Sequence, residues 1–337
     1  GPVFGPVIGG AIVGSASWRW IFFVNLPIGL VALAVASRLL PSTPGRGGAR
    51  LDVGGLALLS GGIAAFCYGL SGIGSRGTVG ARPLTAIAAG VLLIGLFCLH
   101  AVRAPRPLID LRLFTRRGFS AAAATNLLLG MAMFGVALLL PLYFELVRGR
   151  SPLETGLLLI PQGLGAAVAL PIAGSLTDRI GARPVVSSGI ALGLLGALGY
   201  TQIGVNTPYW YLAGALLLIG AGLGATITPA MAAAFQSVDR SDIPAATSAI
   251  STIQRIAGSL GIAALAVTLQ RAMAAEIPAF HGDISQASAL AAADPGRTLP
   301  SLAHAFGATY WVALALTVIS LAPALMLRVH RPTAGGA

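Results

Sequence analysis

The chain has 337 residues, of which 56% are apolar and only 9% charged. Soluble domains carry about 25% charged residues, so water is not the main solvent of this sequence. The formal charge of +11 comes entirely from arginine, because lysine is absent, and that absence excludes a Walker A phosphate loop and a Schiff-base enzyme.

The chain opens on GPVFGPVIGG, which sets Gly1, Gly5 and Gly9 four residues apart, with Pro2, Pro6 and Gly10 beside them. Small residues at that interval share one helix face and let a second backbone approach closely in lipid. Each proline removes a backbone donor. A run of about 14 residues at 1.5 Å each reaches only about 21 Å, short of the roughly 30 Å hydrocarbon core. The expectation is the tail of a helix that starts upstream, in a chain that is a fragment.

Charge-free intervals then predict complete spans in order. They lie between Arg19 and Arg38, Asp52 and Arg76, Arg82 and Arg103, Arg117 and Glu145, and Glu154 and Asp178. The longer interval from Arg183 to Asp239 is divided by Asn206–Thr207–Pro208 into two spans. The next covers about 245–269 and holds Arg255, and the last runs from Arg297 to Arg328. The reading is an all-α integral membrane protein with nine complete spans and one partial span. Residues 270–303 are expected to form a polar, Ala-rich loop.

Alternate connections divide the arginines thirteen to seven. The richer set, with Arg38, Arg103, Arg116, Arg179, Arg183 and Arg240, is placed in the cytoplasm. No basic run is interleaved with stacking aromatics, so nucleic acid is not an expected partner. Cys67 and Cys98 sit inside apolar runs and read as small buried residues. His100, His281, His304 and His330 have no ligand spacing, so no metal or cofactor is expected, and no nucleophile and base converge.

Three interior stretches carry polar groups. In GSLTDRIGARP (174–184), Gly174, Asp178, Arg179, Gly181 and Arg183 occupy a short cytoplasmic connection, where Gly181 permits a tight turn and Asp178 can pair with Arg183. In AATSAISTIQRIAGSLGIA (245–263), Arg255 lies mid-span, with Ser248, Ser251, Thr252, Gly258 and Ser259 on its face. A mid-bilayer guanidinium costs about 2.5–3.5 kcal/mol on insertion scales, so Arg255 is expected to turn toward protein or a hydrated path. Asn126 and Gln162 lie within spans as hydrogen-bonding or solute-contact groups, and Glu145 closes a span near the external face. In IGAGLGATITP (219–229), Gly220 and Gly224 are spaced for close helix contact.

GPVFGPVIGG followed by SWRWIFFVNLPIG (17–29), together with GSLTDRIGARP, resembles the fourteen-helix EmrB/QacA-type drug:proton antiporters of the major facilitator superfamily. The resemblance implies that the opening run is the antiporter motif of the fifth helix, packed against the other half, and that 174–184 is a latch loop. Ala182 stands where many members carry a basic residue. The implied division is 1–40, the last two helices of the N-terminal bundle, the first truncated; 41–103, a cytoplasmic linker and two extra central helices; 104–117, a second cytoplasmic linker; 118–330, the C-terminal six-helix bundle; and 331–337, a tail. The implied activity is alternating-access exchange of protons for small hydrophobic, often cationic solutes, by a monomer in the bacterial cytoplasmic membrane. The family's principal intramembrane carboxylate belongs to the first helix, so this piece alone is not expected to transport. A facilitator, or an exporter of one metabolite, stays open at this point.

Overall fold

A computed structural model of the chain describes residues 4–15, 19–39, 52–76, 81–104, 107–239, 242–280 and 284–327. Among the described residues every regular element is helical. Nine stretches of the described residues are long and apolar enough to cross a membrane: Trp20–Leu39, Val53–Gly72, Ala81–Arg103, Arg117–Val147, Pro152–Ile180, Ala182–Tyr200, Tyr209–Gln236, Ile243–Glu276 and Pro295–Leu325. They coincide with the charge-poor intervals, because an uncompensated charge is what a span cannot carry cheaply.

The short apolar helix α1 (Phe4–Ser15) precedes α2 (Trp20–Phe23) and α3 (Asn25–Leu39), which buries none of its residues. Helices α4 (Val53–Arg76) and α5 (Ala81–Arg103) pack on each other as a hairpin, and α4 rests against a later helix. A 3-10 turn (Leu111–Thr115) leads into α6 (Arg117–Leu142), which holds Pro141 and ends in a π-helical turn over Tyr143–Val147. Next come α7 (Pro152–Leu158), α8 (Ile160–Ile180), α9 (Ala182–Tyr200), α10 (Tyr209–Gln236) and α11 (Ile243–Glu276). The short α12 (Ile284–Ala293) and the long α13 (Pro295–Leu325) complete the order.

The bundle is built on α10 against α8 and α9, and on α11 against α6, with α13 bridging α6, α9 and α11. Backbones come very close at the first of these pairings. A Cβ added to Gly220 would stand 1.9 Å from the Gln162 carbonyl oxygen, and one on Gly224 would stand 2.6 Å from that of Ala166. Lipid tails give helices little reason to separate from or join one another, so such van der Waals contact is a main source of cohesion. Outward faces carry Val168, Leu170, Ile172, Leu195 and Trp210, all exposed, as a lipid-facing surface requires.

Two large apolar cores fill the bundle, beside a small third cluster of Ala173, Val185 and Ala225. One, near the π-turn, contains a ring cluster of Tyr143, Phe144, Tyr200, Phe306 and Tyr310, with successive edge-on or tilted contacts at 5.1–6.4 Å. The other, toward the opposite end, gathers Phe119, Val186, Ile190, Ala230, Ala249 and Ile250.

The stretch 270–303 differs from expectation. Helix α11 continues to Glu276 and α12 forms, while Phe280, Ala287 and Leu302 are buried in the first core. Its alanines read as a polar loop, but scattered apolar residues anchor it to the bundle, and burying such side chains is worth about 25 cal/mol per Å² of apolar surface. Cys98 is also exposed rather than buried, and Cys67 is half-buried.

The α4–α5 hairpin is locked at one end by Asp52. One of its carboxylate oxygens accepts from Gly55 N–H at 2.8 Å and lies 2.8 Å from His100 Nε2, and the other accepts from Leu108 N–H at 3.1 Å. These bonds, the one from Gly55 foremost, hold its carboxyl below the ordinary 3.8. The distance between Asp52 and His100 in sequence hid this contact from pattern reading.

Candidate functional site

Between the two cores lies a cavity of about 300 Å³, walled by α6, α8, α9, α10, α11 and α13. The walls are mostly apolar, supplied by residues such as Leu129, Met133, Phe134, Ile190, Ile219 and Leu223. Three carboxamides reach it, from Asn126 on α6, Gln162 on α8 and Gln254 on α11, together with the hydroxyls of Thr226 and Thr317. An apolar pocket with a few convergent polar groups is the usual form of a small-molecule site.

Much of this polarity is already committed. Asn126 Nδ2 donates to Ala122 O at 2.9 Å, and Asn126 Oδ1 accepts from Gln254 Nε2 at 3.4 Å. Thr226 donates to Gly222 O, and Thr317 to Ala313 O at 2.8 Å. The Gln162 carboxamide and the Gln254 carbonyl oxygen are in none of these bonds and can meet a solute. Helix α8 carries Pro161 in its first turn, where its missing N–H costs nothing. The close approach of Gly220 to the Gln162 backbone then fixes where that side chain starts.

The predicted residues divide between this cavity and the surface. Asn126 and Gln162 line the cavity. Arg255 does not: it is exposed, and its neighbour Gln254 turns inward instead. Consecutive helical residues point about 100° apart, so the wall takes one and the outer face the other. Ser251, Thr252 and Ser259 are half-exposed on α11 and also stand outside the cavity lining. Gln254 was concealed in the sequence by the charge beside it.

Glu145 is exposed on the π-turn, where it borders a second opening of about 540 Å³ with Arg148, Ser288 and Pro295. Arg148 is pinned there by Val205 O and Thr207 O, each at 2.8 Å.

In the α8–α9 connection, Gly181 has φ +88°, the conformation a glycine tolerates, and its N–H donates to Thr177 O at 2.9 Å. Gly174 is open, Asp178 and Arg179 are exposed, and Arg183 is half-buried. The expected ion pair of Asp178 with Arg183 is not among those formed by the described residues. A different link operates at this end: Arg116, just before α6, reaches Asp239 at 2.6 Å and Asp242 at 3.3 Å, across the α10–α11 connection.

In the opening run, Gly1 and Pro2 lie outside the described residues. Gly5 and Gly9 face open space, whereas Gly10 packs on α7, its added Cβ falling 2.3 Å from Pro152 O. The Pro6 carbonyl in turn lies against Gly156. Among the described residues the close-packed face of α1 is the one through Pro6 and Gly10.

Residues 1–262 match the profile of the Major Facilitator Superfamily. The chain is 38% identical over 348 residues to the multidrug resistance protein B homolog of Mycobacterium tuberculosis, covering 97% of this chain and 64% of that protein. It is 30% identical over 304 residues to the methyl viologen resistance protein SmvA of Salmonella typhimurium, covering 89% and 60%. To the methylenomycin A resistance protein of Streptomyces coelicolor it is 32% identical over 270 residues, covering 79% and 56%. The chain thus spans less than two thirds of the length of these relatives.

Proposed function

The chain belongs to the Major Facilitator Superfamily, and from that premise we propose that the whole protein is an efflux transporter of the bacterial cell membrane, exchanging protons for small hydrophobic, often cationic solutes by alternating access. The observation that carries this reading is the amide-bearing, otherwise apolar cavity enclosed by six helices. Its chemistry suits a drug-like molecule, and its walls meet through glycine contacts that let helices slide without large side chains interlocking. The named resistance relatives support export of toxic small molecules.

In this reading the α8–α9 turn and the Arg116 link act at the cytoplasmic end, and α1 against α7 forms part of the seam between bundles. None of the ten acidic residues falls in the middle of a span, so the proton-carrying carboxylate belongs to other helices of the whole protein. The energy would come from the membrane potential, about 2.3 kcal/mol per charge per 100 mV, and from the pH gradient.

The test is dye uptake into inverted vesicles containing the full-length protein. Uptake should start when a proton gradient is imposed and stop when a protonophore collapses it. Uptake indifferent to the gradient would favour a facilitator instead.

A further inference from the structure

We propose that the cavity opens to the external face through a gate of buried tyrosines, closed by a clasp between the π-turn and the α9–α10 connection. The proposal rests on the reading of the cavity as a solute site and concerns how a solute leaves it. Walls of the cavity continue outward into one plug. Tyr143 lies beyond Val136 on α6, Tyr200 beyond Gly193 on α9, Leu212 beyond Ile219 on α10 and Tyr310 beyond Thr317 on α13, and in each pair the second-named residue lines the cavity. Each pair is seven residues apart, so its members share a helix face two turns apart, and the plug stands about 10 Å outside the cavity. All of these plug residues are fully buried, so nothing passes while they stay packed.

Three hydrogen bonds form the clasp: the Tyr143 hydroxyl donates to Gly204 O at 2.9 Å, and Arg148 donates to Val205 O and to Thr207 O at 2.8 Å each. They fasten the outer end of α6 to the connection between α9 and α10. The segment they hold is built as a hinge. Pro141 withholds one N–H from α6, and Tyr143–Val147 follow as a π-helical turn, a geometry frequent at functional sites. Release of the clasp lets this segment swing away from Tyr200 and Tyr310 without breaking regular α-helix.

Tyr310 gives the gate its chemistry. Its hydroxyl is buried and meets no hydrogen-bond partner among the described residues, which is costly while the plug is closed. The residue is enclosed on all sides by these helices, so no other part of the whole protein reaches it in this state. A passing solute with a polar atom supplies the partner when the plug opens.

The experiment reads access to the cavity from outside, whatever the solute. Right-side-out vesicles hold the full-length protein, otherwise free of cysteine, and a membrane-impermeant maleimide is added externally. Ala197→Cys reports the cavity wall, and Ala293→Cys, exposed on α12, sets the unhindered rate. With the clasp intact, Ala197→Cys should label at least about tenfold more slowly than Ala293→Cys. Arg148→Gln or, independently, Tyr143→Phe should speed labelling of Ala197→Cys about threefold or more, the gain from losing one hydrogen bond that holds a closed state. Labelling of Ala293→Cys should not change. In inverted vesicles, Tyr310→Phe should raise the Tm, because it removes a stranded hydroxyl, and still slow gradient-driven ethidium uptake about threefold or more.

The gate is wrong if Ala197→Cys labels as fast as Ala293→Cys in the clasped protein, or if neither clasp variant speeds it. A Tyr310→Phe protein with a raised Tm and wild-type uptake would overturn the role of that hydroxyl in passage. Failure of the efflux reading looks different: the wild type would show no gradient-driven uptake, while clasp variants that still sped labelling would support the gate.

Discussion

Gln254 donates from Nε2 to Oδ1 of Asn126 over 3.4 Å, tying α11 to α6 along the cavity wall. Removing one partner strands a carboxamide in apolar surroundings, which costs about 1–3 kcal/mol, whereas replacing both by apolar groups of similar shape is nearly neutral. Asn126→Leu should therefore lower the Tm by more than the Asn126→Leu/Gln254→Leu pair does. Thermal unfolding in detergent checks this, and purely additive losses would show that the two amides are independent.

The α8–α10 contact has no room for a side chain at Gly220, where a Cβ would stand 1.9 Å from Gln162 O, while Gly214 on the same helix faces open space. Gly220→Ala should destabilise the protein by about 1–3 kcal/mol through overpacking. Gly214→Ala should be neutral or slightly stabilising, since alanine favours a helix by about 1 kcal/mol over glycine. Comparing the two Tm values separates packing from helix propensity.

Helix α1 presents Gly14 to α7, an added Cβ there lying 3.7 Å from Leu153 Cβ. That spacing is close to the roughly 3.8 Å mean of a disulfide. The Gly14→Cys/Leu153→Cys protein should form an intramolecular disulfide on mild oxidation. Gly9→Cys/Leu153→Cys should not, because Gly9 has nothing within 4 Å. Mass spectrometry of the digested protein reads both outcomes.

The carboxyl of Asp52 is held below 3.8, first by the Gly55 N–H and then by His100. A carboxyl depressed in the folded state stabilises the fold above its unfolded pKa of about 3.9 and loses that contribution as pH falls through the lower folded value. Asp52→Asn should thus lower the Tm at neutral pH, and its deficit should shrink only below about pH 4. A deficit that does not change with pH would mean that the carboxylate's charge is irrelevant to the hairpin.

The spans were legible because eight intervals lack charges and a ninth holds only Arg255, and so was the α8–α10 contact, since Gly220 and Gly224 share a face. Three features were not. Polarity drew attention to Arg255, yet a single residue of rotation put Gln254 into the cavity and left the guanidinium outside. The four-residue spacing singled out Gly5 and Gly9, although the neighbour sits on the face through Pro6 and Gly10, which depends on where α7 lies. The stretch 270–303 looked like a loop because its anchors, Phe280, Ala287 and Leu302, are spread too far apart to form a periodic pattern. Each of these placements depends on a partner distant in the chain, which local pattern does not specify.

The central claim is that solute passes through the cavity between α6, α8, α9, α10, α11 and α13. Its most direct test is the initial rate of gradient-driven dye uptake by inverted vesicles holding equal amounts of folded full-length protein. Gly193→Leu, which fills the cavity, should slow uptake about tenfold or more, a barrier change of at least about 1.4 kcal/mol. Gly95→Leu, at a position with open space around it, should keep the wild-type rate. Uptake by Gly193→Leu at the wild-type rate would contradict the account.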